Sequence, residues 1–207
     1  ISWKYTLMIK AIFLAAGQSK RIKSENKLTK LYKKTPLINH SLKPLQKSKV
    51  NKIIIVLGHE HKKVKKIIKK NKKNIFIYNK NFKKGMASSI KMGLRKITKT
   101  DEGFIIVQSD MPFIKTVNIN KIFNSIKLKK FLVHVLKFKN KVGNPIGFNI
   151  SILKKFKRIK GDFGAKFMVR RLKDETNFIK INSLKSFKDF DKASDFRTWF
   201  TKIYSEK

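Results

Sequence analysis

The chain has 207 residues, 41% of them apolar, with no cysteine and a formal charge of +40 from 52 basic and 12 acidic side chains. That length can bury a core, while the missing thiols exclude disulfides, thiolate metal sites and cysteine nucleophiles. No apolar run approaches the roughly 18 residues of a membrane span, and residues 1–10 lack the features of a signal peptide, so the default expectation is a cytoplasmic protein that starts near Met8. Residues 11–16 (AIFLAA) predict a buried strand and residues 36–46 a helix. Residues 52–57 (KIIIVL) predict a strand ending at Gly58. In residues 60–70, Val64, Ile67 and Ile68 fall at helical spacing with lysines on the other face. A strand over 74–78, a helix over 87–97 and a strand over 103–107 follow, the last closed by residues 108–112. A helix over 117–126 and a strand over 131–138 continue the alternation.

This β-α-β-α order implies a mostly parallel sheet covered on both faces. The right-handed crossover rule makes it a three-layer α/β/α sandwich. From Asn140 the rhythm changes. A Gly-Asn-Pro turn at 143–145 precedes an apolar run, 146–150. Helical stretches near 153–159 and 165–173, a strand near 177–181 and a helix over 193–203 complete the chain. With neither repeat nor long linker, residues 1–207 read as one continuous domain.

The charge invites a nucleic-acid reading. Only six of the basic residues are arginine, and the other 46 are lysine, spread along the whole chain. Arginine is the usual reader of guanine edges and phosphate forks, so this balance suits specific recognition poorly. Lys, Ile, Asn and Phe are all abundant, and all have A/T-rich codons. Biased base composition accounts for that, and the expectation is no specific nucleic acid and no membrane. A basic RNA- or DNA-binding protein is the non-enzyme alternative. His40, His59, His61 and His134 show no metal-ligand spacing, and no G-x-S-x-G elbow occurs.

The most informative segment follows the first strand. It reads Leu14, Ala15, Ala16, Gly17, Gln18 and Ser19, with Arg21 and Lys27 beyond. In open α/β sheets ligands bind past the carboxyl ends of the strands. Small residues there let a phosphate chain approach the backbone, and a turn of free N–H groups binds anionic oxygens. Arg21 and Lys27 supply cations for departing phosphates. The alternative is an ordinary strand-to-loop turn flanked by surface cations. The segment is neither a Walker A loop nor a Gly-x-Gly-x-x-Gly loop.

It resembles the signature loop of sugar-nucleotide and cofactor nucleotidyltransferases. Within that superfamily, four ordered segments resemble the MobA-like group of NTP transferases, nearest its molybdenum cofactor cytidylyltransferases. They are NFKKGMASSIKMGL from Asn81, SDMP from Ser109, VGNPIGF from Val142 and GDFGA from Gly161. The resemblance implies a Rossmann-like sheet of the glycosyltransferase-A-like type, with residues 8–110 binding nucleotide and 111–207 binding acceptor. It implies that Gly85, Ser88 and Ser89 touch the nucleotide, and that Asn144 and Asp162 shape the acceptor pocket. It makes Mg²⁺ the cofactor, with Asp110 as one ligand. The segment KDFDKASDF from Lys188 resembles a late acidic motif, which makes Asp191 the second ligand and Asp189 the alternative. The Thr-Pro-Glu part of that motif is replaced here by Lys192, Ala193 and Ser194. The implied reaction transfers CMP from CTP to molybdopterin carrying molybdenum and releases pyrophosphate. Arg21, Lys27 and Asp110 are its catalytic residues, and a molybdoenzyme or its chaperone receives the product. A sugar or polyol phosphate is the alternative acceptor. The CTP expectation rests on Ala16, because the cytidylyl members share the Leu-Ala-Ala-Gly form and guanylyl relatives more often carry glycine there.

Overall fold

A computed structural model describes residues 7–19, 26–162 and 164–197. Seven strands form one sheet: β1 (Ile9–Ala15), β4 (Lys52–Leu57), β5 (Asn74–Tyr78), β6 (Gly103–Gln108), β7 (Val133–Phe138), β8 (Lys141–Asn149) and β9 (Thr176–Lys180). The order across the sheet is β5-β4-β1-β6-β8-β7-β9. Only β8 runs against the rest. Among the described residues no helix is long and apolar enough to cross a membrane.

The inner strands β1, β4 and β6 are buried on both faces, which is why they read as apolar runs. The two-residue period of β1 divides it between two cores. Ile9, Ala11 and Phe13 pack on one side with α1 (Leu37–Gln46), α2 (His61–Ile67) and α4 (Thr116–Lys127). Ile12 and Leu14 pack on the other with α3 (Met86–Leu94), α5 (Ala165–Arg171) and a 3-10 segment, Ile150–Arg158. The expected three-layer α/β sandwich with a mostly parallel sheet is the observed one.

One local expectation is corrected. The Gly-Asn-Pro segment lies inside β8 and is not a turn before it. Val135 pairs with Ile146 and Leu136 with Gly143, so Asn144 and Pro145 are two extra residues in a bulge. Proline cannot donate to a ladder, and a bulge is where a strand accommodates it. A small hairpin, β2 (Leu31–Tyr32) and β3 (Thr35–Pro36), has no counterpart in the sequence reading. Its turn residues, Lys33 and Lys34, both take left-handed φ values of 47° and 61°, a geometry that Asn-Gly would have announced. The last helix, α6 (Ala193–Arg197), begins as expected; residues 198–203 lie outside the described residues.

His134 sits in β7, fully buried, with Nδ1 2.7 Å from Ser125 Oγ and Nε2 without a hydrogen-bond partner. Burial pushes its pKa down to about 4. An unfolded histidine titrates near 6.5, so its contribution to stability is complete above that pH. It is lost as pH falls through the folded value, because the unfolded chain then takes up the proton first. The loss reaches about 3 kcal/mol by pH 4. Urea unfolding at pH 7 and pH 4.5 is expected to show this fall in the wild type and a shallower one in His134→Leu. Parallel slopes would place the titration elsewhere.

Candidate active site

Beyond β1 the chain turns through Ala16, Gly17, Gln18 and Ser19. A Cβ on Gly58, at the end of β4, would stand 2.7 Å from the Cβ atoms of Ala16 and Phe82, so glycine there lets the loop lie close. A Cβ on Gly17 would meet nothing within 4 Å, and the space above it is open. Ser19 takes a left-handed φ of 54°. Its hydroxyl oxygen accepts from the Lys27 N–H at 3.0 Å, a closure that ties residue 19 to residue 27. Buried Asn26 supports the same closure by accepting from the Leu28 N–H at 3.1 Å. Arg21 lies outside the described residues.

The closure aims Lys27 inward. Its Nζ is 2.6 Å from Asp110 Oδ2 and 2.8 Å from Asp191 Oδ1. Burial opposes the ammonium, but the charge and hydrogen bond of Asp110, then those of Asp191, outweigh it, and the Lys27 pKa is raised. Asp110 stands at the carboxyl end of β6, and its Oδ1 is buried with no hydrogen-bond partner. Asp189 is held above the usual carboxylate range by burial and then by the charges of Asp191 and Asp110. It feels those two without joining them in a cage: among the described residues no group of three or more His, Asp or Glu forms one.

Phe190 separates the two late carboxylates. Its N–H donates to the Asp110 carbonyl at 2.9 Å. Downstream, the Asp195 carboxylate accepts from the N–H groups of Asp191 and Lys192, each at 2.8 Å, and pairs with Lys188 at 2.6 Å. Asp195 is thus the carboxylate that caps the entry to α6.

The start of α3 forms the opposite wall. Gly85 has a φ of 92°, and a Cβ on it would lie 2.5 Å from the Gly161 carbonyl oxygen and 2.7 Å from Asp162 Oδ1. Asp162 accepts from the Met86 N–H at 3.2 Å and Gly161 from the Ala87 N–H at 3.0 Å. The first turn of α3 is thus partly capped by the 161–162 loop. Ser88 donates to the carbonyls of Asn81 and Gly85, both at 2.9 Å, and accepts from Asn79. Ser89 is buried and accepts from the same Asn79 amide at 3.0 Å.

A cavity of about 710 Å³ lies between these elements. Leu14, Ala16, Gly17, Gln18, Ser19, Lys27, Gly85, Ser89, Asp110, Asp162 and Asp191 all line it. Ala15 does not line it and packs under the sheet. Ser88 lines a neighbouring cavity of about 350 Å³. Asn144 lines neither and is buried in the β8 bulge. Sequence reasoning missed Phe82, Lys83 and Lys84, which line the main cavity just before Gly85, and Gln108 and Ser109, which precede Asp110. Their adjacency to named motifs was the available signal. The size is that of a small-ligand site.

A mostly parallel sheet with a cavity beyond its carboxyl edge is the ligand-binding arrangement of open α/β folds. Residues 11–176 match the MobA-like NTP transferase domain, and the chain belongs to that family. It is 31% identical over 142 residues to the bifunctional protein GlmU of Clostridioides difficile, covering 67% of this chain and 29% of that protein. It is 34% identical over 128 residues to the 2-C-methyl-D-erythritol 4-phosphate cytidylyltransferase of Lachnoclostridium phytofermentans, covering 59% and 53%. The chain thus spans from about three tenths to about half of these relatives' lengths. In fold it is similar to Rv0371c of Mycobacterium tuberculosis, with a TM-score of 0.82 at 19% identity over 94% of this chain and 98% of that one. Rv0371c has also been crystallised in complex with manganese.

Proposed function

We propose that the protein transfers CMP from CTP to a phosphorylated small molecule and releases pyrophosphate, as a cytoplasmic enzyme. The observation that carries this reading is the meeting of Asp110, Asp191 and Lys27 at one point on the wall of a cavity that the Ala16–Ser19 turn also lines. An acceptor phosphate oxygen attacks the α-phosphorus, and the bond from that phosphorus to the bridging oxygen breaks. The pyrophosphate leaves with the negative charge. Lys27 and Arg21 neutralise that charge, while the N–H groups of the turn orient the phosphates. No protein nucleophile is needed.

The carboxylates fit a magnesium ion. Two of them converge on one point, their donors are hard oxygens, and Asp110 keeps a buried oxygen with no protein partner. Magnesium takes one or two carboxylates and completes its shell with substrate phosphates and water. Asp110 and Asp191 would hold the ion. When bound, it supplies charge neutralisation at the reacting phosphates.

The CTP assignment is supported by the Leu-Ala-Ala-Gly segment and by the cytidylyltransferase relative. The Ala16 side chain lies close to Gly58 and still lines the cavity. A difference of one methyl group is worth about 1–3 kcal/mol, so the preference over GTP is tens-fold and not absolute. The motif resemblance supports molybdopterin carrying molybdenum as acceptor. A second reading, a polyol phosphate, is favoured by the name of that same relative. A pyrophosphate-release screen of four NTPs against both acceptor classes, with Mg²⁺, is the test. CTP is expected to exceed GTP by tens-fold with one of the acceptors. Equal or GTP-favoured turnover would overturn the nucleotide assignment, and no release with any pair would overturn the reading as a whole.

A further inference from the structure

The three charged residues at the reaction point lie on three segments, and each segment carries a ring into one small aromatic cluster. Tyr32 follows Lys27 on the β2–β3 hairpin. Phe113 follows Asp110 after the Met-Pro turn. Phe190 stands immediately before Asp191. These rings, with Leu37 and Phe196, form a core separate from the two that hold the sheet. Phe190 is its hub: its ring centroid is 5.1 Å from Tyr32, 5.8 Å from Phe113 and 5.0 Å from Phe196, each edge-to-face. Only 1% of its surface is exposed.

We infer that Phe190 is a positioning residue for the carboxylate pair, acting through this cluster. The inference rests on the proposed metal–nucleotide reading and extends it to a residue that touches neither. Asp189 and Asp191 line the cavity while Phe190 between them is buried on the other side. The late segment is therefore pinned at its middle residue, with a carboxylate turned out on either flank. The Phe190 N–H holds the Asp110 carbonyl at 2.9 Å, so the same residue sets the spacing between the two carboxylate-bearing segments. Residues 188–192 belong to no strand or helix, and the sheet cannot fix them. Edge-to-face ring contacts supply direction as well as burial. A looser ring lets Asp191 drift from Asp110, and a displacement of about 1 Å near a reacting centre costs about 10²-fold.

The test measures Mn²⁺ binding to the full chain by electron paramagnetic resonance, beside thermal unfolding and separate kcat and KM. Phe190→Leu is expected to fold and to bind Mn²⁺ about 10–100-fold more weakly, the usual cost of removing a group that orients a metal ligand. In an Asp191→Asn background the same change should weaken binding no further. Phe156→Leu serves as control, because Phe156 is fully buried in the core across the sheet and does not line the cavity. It should lose stability and keep its Mn²⁺ affinity. Equal losses of affinity in Phe190→Leu and Phe156→Leu, or an unchanged affinity in Phe190→Leu, would overturn the inference. If Phe190→Leu does not fold, Phe196→Leu at the edge of the cluster is measured and judged by the same outcomes. If Asp110→Asn binds Mn²⁺ as the wild type does, the metal reading itself fails, and this inference with it.

Discussion

Asp110→Asn is expected to lower turnover by at least about 10²–10³-fold, the scale of one lost electrostatic contact to a reacting oxyanion. The change alters charge and little else. Asp110 Oδ2 is the nearer partner of Lys27, and Oδ1 is buried without a protein partner. An amide puts a neutral group at both places. The fold should survive, because the bond that ties this segment to the late loop runs from the Phe190 N–H to the carbonyl of residue 110, which the substitution keeps. Pyrophosphate release at saturating Mg²⁺, measured beside a urea unfolding curve, separates the two effects. Near-wild-type turnover would remove Asp110 from the reaction.

What the sequence disclosed follows from the range of the interactions involved. The inner strands β1, β4 and β6 were legible because two-sided burial writes itself as an apolar run, and the half-buried edge strand β5 was legible from its short apolar run. The Ala16–Ser19 turn and Asp110 were legible because each follows such a run at the ligand-binding edge of the sheet. Asp191 came through a motif resemblance, and its partner Lys27 lies 164 residues away. No local spacing encodes that meeting. The direction of the Ser88 and Ser89 hydroxyls was hidden for the same reason, since it is set by Asn79 from the preceding segment. Asn144 was misplaced because Gly-Asn-Pro has the composition of a turn, and only the register of β7 against β8 shows a bulge. The aromatic cluster was invisible because its rings sit singly on hairpin, turn and loop, with no period to reveal them.

Lys27→Met is expected to move two measurements in opposite directions: turnover falls by about 10²–10³-fold, while Mn²⁺ binding to the nucleotide-free protein tightens. Both follow from one geometry. The ammonium lies 2.6 Å and 2.8 Å from the two carboxylate oxygens that would hold the ion, so lysine and metal compete for the same donors. Binding the ion then requires Lys27 to leave the carboxylates, and the bound phosphates offer it the next negative charge. Methionine keeps the unbranched body of the side chain, lacks the ammonium, and cannot compete. It also leaves Asp110, Asp189 and Asp191 facing one another without that cation, so the variant should unfold more easily. Breaking a fully buried pair costs about 3–5 kcal/mol. The loss here is smaller, because the Asp110 and Asp191 side chains keep 17% and 35% of their exposure. Added Mn²⁺ should return the stability, by about 2.7 kcal/mol at a hundred times its dissociation constant. A purely structural ion pair would lose stability and gain no affinity for the ion, and a surface cation would change neither. Unchanged turnover together with unchanged Mn²⁺ affinity would therefore take Lys27 out of the site.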